Sequence, residues 1–400
     1  MAETNLPVSA ALAQSVRQHV SAMIDFRRDL HAHPELPWQE HRTTEKILEE
    51  LKRIGITCRK AEPTGVIAEI VGDMPGKTVA LRADMDALPV KELNDSLSYK
   101  SSHDGIMHAC GHDSHTAMLL TAAKALQENK KSLRGKVRLI FQPAEEIAEG
   151  AKAMIAQGAI DGVDNVFGMH IWSSLSSGKI SCNVGSSFAS ADLLKVTFTG
   201  RGGHGSMPEA CVDAVVVASS FVMNLQAIVA RETSALESAV VTIGRMEVGT
   251  RFNVIAENAL LEGTVRCFDN VTRERIRAAI ERYAQHTAAL YGAKAEVEYS
   301  YGTQPVINEE RSALLAQSVI CASFDQAVLV TEKPTTGGED FSFYMEDIPG
   351  CFALVGCRSP EKGSIWAHHH GCFNIDEDVM VSGAELYAQY AWCYLEQCRF

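Results

Sequence analysis

Apolar residues at Leu12, Val16, Val20, Met23, Ile24 and Leu30 recur with a period near 3.6, which predicts one amphipathic helix ending near Pro34. Ile47, Leu48, Leu51 and Ile54 line one face of a second helix that stops at Gly55, a residue suited to a left-handed C-cap. Residues 65–71 and 77–82 read as strands joined by a turn at 73–76. A helix over 116–128, a strand over 136–142, a helix over 148–157 and a strand over 165–170 follow. Alternating strands and helices of this kind predict strand-helix-strand units and a largely parallel sheet.

Between residues 172 and 191 the chain turns rich in Ser and Gly, as at a crossing between domains. Beyond it Leu194, Val196 and Phe198 alternate with polar residues. The pattern then gives a helix over 213–229, strands over 239–246 and 258–268, a helix over 272–291 and a strand over 295–301. That order is ferredoxin-like. Helices over 309–324 and 379–395 would rejoin the first part. The expected organisation is an α/β fold: a catalytic domain from 1–186 and 303–400 with a mostly parallel mixed sheet flanked by helices, and an inserted α+β satellite over 187–302.

Four hundred residues exceed what one hydrophobic core normally serves, and 46% apolar with 22% charged residues is the balance of a globular chain. A net charge of -13 with scattered basic residues opposes a nucleic-acid partner. The first residues lack a basic n-region, and apolar runs such as 214–218 are too short to cross a bilayer, so no membrane partner and a cytoplasmic location are expected. Eleven dispersed cysteines predict reduced thiols, with Cys58, Cys267 and Cys321 as small core residues.

Cys110 is different, because His108, Cys110, His112, Asp113 and His115 crowd into eight residues at a helix entrance. Thiolate and neutral imidazole both suit zinc-like ions. Glu145 and Glu146 follow a strand and project in different directions, so one carboxylate can ligate a metal while the other faces water; a solvated helix start is the plain alternative. His170 closes an apolar strand, as a ligand or as a satisfied core histidine, and one of His368, His369 and His370 is a further candidate. Asp84 and Asp86 suit an outer shell in which Asp86 holds His112. The glycine loop 200–205 matches a dinucleotide fingerprint formally, but its strand alternates where a nucleotide-binding strand is apolar throughout, so it reads as a loop presenting His204.

In order, HACGHDSH, PAEE, GMH, GRGGHGSMP, RFNVIAE, GGEDF and HHHGCF resemble the amidohydrolase branch of the aminoacylase and carboxypeptidase-like zinc metallopeptidase family, from Arg27 to the C-terminus. The branch includes hippurate hydrolases, N-acyl-amino-acid deacylases and auxin-conjugate hydrolases. The resemblance implies a metal-dependent amidohydrolase that splits N-acyl or N-aroyl amino acids. By it, Cys110, His112, Glu146, His170 and His369 hold one or two divalent ions (zinc, manganese, nickel or cobalt), with Glu145 as general base. His369 is selected by its distance from Phe373, although Gly371 stands where the family more often has Pro, which keeps His368 and His370 as rivals. His204 would steady the oxyanion, Asn253 would contact substrate, and the loop around Gly338 would line the pocket. Arg251 or Arg266 would clamp a substrate carboxylate, with a structural ion pair as the equal alternative. The satellite would serve as lid and dimerisation element, its sheet edge suiting a homodimer or higher homo-oligomer. A metallo-dipeptidase or exopeptidase, and a metal-binding protein without catalysis, are the competing functions.

Overall fold

A computed structural model describes residues 6–397. Its contacts divide the chain into two compact units, Met1–Gly185 with Asn308–Lys333 and Phe343–Phe400, and Ser186–Ile307 with Pro334–Ser342. The short excursion Pro334–Ser342, which carries Gly338, has no counterpart in the sequence-based division.

The first unit is built on a seven-stranded sheet, in the order Thr57–Lys60, Val66–Val71, Arg134–Gln142, Met74–Asp84, Asn165–Ser176, Gly350–Arg358, Ile180–Ser181. The middle four strands are parallel and the outer three antiparallel. Parallel strands are covered on both faces, and Val79, Ala80, Leu81, Val137, Leu139, Ile140, Val166 and Phe167 are all fully buried. The helices His112–Glu128 and Met380–Gln397 pack on each other and on the Met74–Asp84 strand. The central strand Gly350–Arg358 was not anticipated. Its run Cys351 to Val355 is apolar at every position and buried, so it has no alternation from which to read a strand.

Three details depart from the helical and turn pattern. The first helix is two, Ala10–Gln18 and Val20–Ala32, parted at His19, whose ring lies 2.8 Å from Glu128. The expected turn at 73–76 is instead the irregular start of the Met74–Asp84 strand, with a register shift before Thr78. Gly55 does cap its helix, at φ +73°, donating its N–H to the Lys52 carbonyl.

The second unit runs strand Ala191–Thr199, helix Ala214–Ala227, strands Ala239–Val248 and Asn258–Cys267, helix Asn270–Tyr291, strand Lys294–Thr303. The first of these strands lies between the third and the fourth, the second forms an edge, and all neighbours are antiparallel, which is ferredoxin-like connectivity. Leu194, Val196 and Phe198 point to one face and pack with Val217, Phe221, Leu225, Ile276 and Ile280. The helical segment Ala214–Glu232 corrects one expectation: by length and composition it is apolar enough to span a bilayer. Part of that apolar surface is the face that packs on its own sheet. The cysteines among the described residues are unpaired thiols, and Cys321, expected in the core, is exposed.

Candidate metal centre

Gly111 lies at φ +95° and begins the helix His112–Glu128 from a left-handed turn, a conformation that costs glycine little. Cys110 and His112 flank it. Asp84 ends one parallel strand, and Glu145 and Glu146 stand in the turn after Gln142 ends the next. His170 lies within Asn165–Ser176 rather than at its end, two residues beyond the last pairing of that strand with Met74–Asp84, Arg82 with Gly168. The carboxyl ends of neighbouring parallel strands thus deliver donors to one place, where open α/β sheets bind ligands.

Cys110 Sγ lies 3.4 Å from His170 Nε2. His112 Nε2 is 3.9 Å from both Glu145 Oε2 and Glu146 Oε1, and His369 Nε2 is 3.6 Å from Glu146 Oε2. Three overlapping sets, Cys110 with His112 and His170, Cys110 with Glu146 and His369, and His112 with Glu145 and Glu146, each hold their donor atoms within 4.8 Å of one another. Donors bound at ~2.0–2.3 Å around one ion stand roughly 3.3–3.8 Å apart, so these separations suit a shared cation. Two buried atoms of the cluster, His112 Nε2 and Glu146 Oε1, have no hydrogen-bond partner among the described residues. Buried polar atoms are nearly always paired, and a cation between these two would satisfy both.

The electrostatics point the same way. Burial pushes the Glu146 carboxyl up to about 7, with Asp86 adding repulsion against the attraction of His112. Burial also raises the Cys110 thiol, and Glu146 adds to it. Anionic donors are held where their charge is costly unless a positive ion joins them. Around them, Asp86 Oδ1 and its own carbonyl accept from His112 Nδ1 at 3.2 and 3.0 Å, and Asp86 Oδ2 accepts from the Glu146 N–H at 3.0 Å.

The three consecutive histidines separate by geometry. His368 uses both ring nitrogens, Nδ1 with the Ser173 hydroxyl at 2.7 Å and Nε2 with the Ile171 carbonyl at 2.8 Å. His370 stacks on Trp366 at 4.3 Å and accepts from the Cys372 N–H. His369 turns the other way at φ +66°, its own N–H on the Ala109 carbonyl, and presents Nε2 to Glu146. At Gly371 a Cβ would stand 2.5 Å from the Lys91 carbonyl, so in this loop conformation a side chain there would force a shift.

Other supports were missed in the sequence. Glu40, buried and raised to about 7 by that burial, accepts from the Ala144 N–H at 2.9 Å and from the Thr64 hydroxyl at 2.7 Å, fixing the turn before Glu145. Nothing local marks it, since its partners lie 24 and 104 residues away.

In the second unit, His204 is exposed, pairs in a two-residue ladder with Val254, and holds Ser206 through Nδ1 at 2.8 Å. The Gly205 N–H donates to the Asn253 carbonyl at 3.0 Å, so these two candidates are neighbours. Arg251 is exposed over the Phe252 ring, whereas Arg266 is half-buried on the strand Asn258–Cys267. Gly338 is a close approach: a Cβ there would meet Thr303 Oγ1 at 2.8 Å and Ala191 Cβ at 2.9 Å.

The sequence profile described as "Peptidase family M20/M25/M40" matches residues 80–392. The chain belongs to this family. It is 41% identical over 377 residues to an N-acetylcysteine deacetylase of Bacillus subtilis, covering 94% of this chain and 97% of that one. It is 38% identical over 381 residues to thermostable carboxypeptidase 2 of Saccharolobus solfataricus, covering 94% and 96%. Among solved structures, a dinuclear metal-binding peptidase of the M20 family from Bacillus subtilis superposes with a TM-score of 0.85 at 36% identity, covering 95% of this chain and 99% of that one. The resemblance drawn from the motifs therefore holds at the level of family, fold and a metal-dependent hydrolase.

Proposed function

We propose that this M20-family chain hydrolyses the amide bond of N-acyl or N-aroyl amino acids, releasing a carboxylic acid and a free amino acid. The observation that carries the reading is the convergence of the unpartnered His112 Nε2 and Glu146 Oε1 with Cys110, His170 and His369, beside the carboxylate of Glu145. Those five residues are assigned as holders of one or two divalent ions, and the dinuclear relative supports two. Zinc, manganese, nickel and cobalt all suit this mixture of thiolate, imidazole and carboxylate. When bound, such ions supply Lewis acidity that brings the pKa of water toward neutrality.

Glu145 takes the proton of the attacking water as its oxygen bonds to the carbonyl carbon. It then delivers that proton to the amide nitrogen as the carbon–nitrogen bond breaks. Asp86 keeps His112 in one tautomer by accepting from Nδ1, which leaves the Nε2 lone pair for the ion. For His204 as oxyanion donor, and for Asn253 and Gly338 as substrate contacts, the support is the match of their motifs; for Arg251 and Arg266 it is that a substrate carboxylate calls for a cation and both lie in the same unit as Asn253. Metal storage needs no base, so Glu145 beside the donors disfavours a non-catalytic protein. An exopeptidase remains the second reading because a carboxypeptidase is among the relatives.

A panel of acetyl, benzoyl and indoleacetyl amino acids with plain dipeptides separates the two readings. Turnover of the acyl substrates should vanish after chelation and return with one or more of the four metals. Faster cleavage of dipeptides than of every acyl amino acid would transfer the chain to the second reading.

The second unit is proposed as the lid and self-association element of a homodimer, in a protein of the reducing cytoplasm. The edge strand Ala239–Val248 exposes Val240 and Met246, and the neighbouring helix exposes Val215, Val216 and Met223. Light scattering should give twice the mass of the chain, and Met223→Asp with Val240→Lys should halve it. A monomeric mass for the unaltered chain would end this assignment.

A further inference from the structure

We infer that Asp84, His115 and the backbone of Ile171 form a buried relay that holds the tautomer and aim of His170, which makes Asp84 and His115 positioning residues for the metal centre. The inference rests on the proposed role of His170 as a metal donor.

Hydrogen-bonding valence settles each proton in turn. The backbone N–H of Ile171 can only donate, and it donates to His115 Nε2 at 2.8 Å. That nitrogen therefore carries no proton, and the ring proton of His115 sits on Nδ1, which donates to Asp84 Oδ1 at 2.6 Å. The other oxygen of Asp84 accepts from Arg82 Nη1 at 2.6 Å. The Ile171 carbonyl, which belongs to the following peptide unit, can only accept. It receives His170 Nδ1 at 2.5 Å and His368 Nε2 at 2.8 Å. His170 is thus protonated on Nδ1, and its Nε2 lone pair is directed at the cluster, 3.4 Å from Cys110 Sγ.

The backbone N–H and carbonyl of one residue, Ile171, in this way engage three imidazoles. Asp84, His115, Ile171 and Arg82 are all fully buried, so water offers no substitute partner. Pairing with the strand Met74–Asp84 ends at Arg82 and Gly168, and a side chain rather than another strand receives the N–H of Ile171. That N–H belongs to the peptide unit joining His170 to Ile171, so its bond to His115 fixes the backbone plane between the His170 ring and the Ile171 carbonyl that accepts from it. The link to His368 ties the segment that carries His369 to the same residue.

Asp84, His112 and His115 also lie close enough together to suggest a separate cation site. The relay accounts for them without one: both nitrogens of His115 and both oxygens of Asp84 are engaged, and His112 Nε2 stands 3.8 Å from Asp84.

The test uses the full chain, stripped with a chelator and titrated with Co(II) while the thiolate-to-cobalt absorption and the binding stoichiometry are read. His115→Leu removes both relay bonds and should weaken cobalt binding by roughly 10–100-fold, as loss of a residue that orients a metal-bound histidine typically does. His115→Gln, whose amide oxygen can still accept from the Ile171 N–H, should recover most of that affinity. Asp84→Asn, which keeps the volume, should also weaken binding and serves if the leucine variant does not fold. A role in folding alone would lower the thermal midpoint of the metal-free variants and leave cobalt affinity unchanged, and that result overturns the relay. So does a glutamine variant no better than the leucine one. If the unaltered chain takes up no metal, the proposed function fails instead.

Discussion

Glu145→Gln should bind metal like the unaltered chain and lose roughly 10²–10⁴-fold in kcat. The amide preserves the shape of the side chain but can neither take a proton from water nor return one to the departing nitrogen. Glu145 Oε2 lies 3.9 Å from His112 Nε2, beside the ion-binding set but outside the five residues assigned to hold the ion. Metal content by mass spectrometry should therefore stay unchanged while steady-state turnover of an acyl amino acid collapses. A variant with full metal and near-normal turnover would remove Glu145 from the chemistry.

Arg27→Met should cost about 3–5 kcal/mol of stability, the usual effect of removing one partner from a buried ion pair. Arg27 is fully buried, with Nε 2.8 Å from Asp113 Oδ2 and Nη1 3.1 Å from Glu377 Oε1, and its ring neighbour is Tyr99 at 5.1 Å. Methionine fills much of the space but leaves two carboxylates facing an apolar group. His31, 2.8 Å from Asp113 and 3.3 Å from Glu92, can compensate only in part. Because Asp113 follows His112 directly, the loss should also loosen the start of the helix that carries the donor. Urea unfolding of the metal-free chain measures the cost. A second variant, Arg27→Met with Asp113→Leu, should be more stable than the single one, since an apolar pair leaves fewer stranded charges. Equal stability of the single variant and the unaltered chain would show that the cluster is not an energetic anchor.

The residues most legible in the sequence were those whose chemistry is rare. A thiol and imidazoles packed around Gly111, and paired carboxylates after a strand, announce metal chemistry by type and spacing, and the structure brings Cys110, His112, Glu146, His170 and His369 together with Glu145. Of the supports, Asp86 beside His112 was legible; the others were not, because each is a pairing across long stretches of chain. Arg27 meets Glu377 350 residues on, and His115 meets Ile171 56 residues on. Neither has a local pattern. The strand Gly350–Arg358 escaped for a different reason: a strand buried on both faces has lost the alternation that reveals one at a surface. Distance from Phe373 favoured His369 in the sequence and left His368 and His370 as rivals; what separates the three is the backbone, where φ +66° at His369 presents its ring to Glu146 while His368 and His370 engage other partners.

The most direct test of the account is a crystal of the metal-loaded chain measured at the absorption edge of the ion. The anomalous peaks should lie about 2.0–2.3 Å from Cys110 Sγ, His112 Nε2, a Glu146 oxygen, His170 Nε2 and His369 Nε2, shared among them as one or two ions. Peaks that avoid this cluster, with the five donors left uncoordinated, would contradict it.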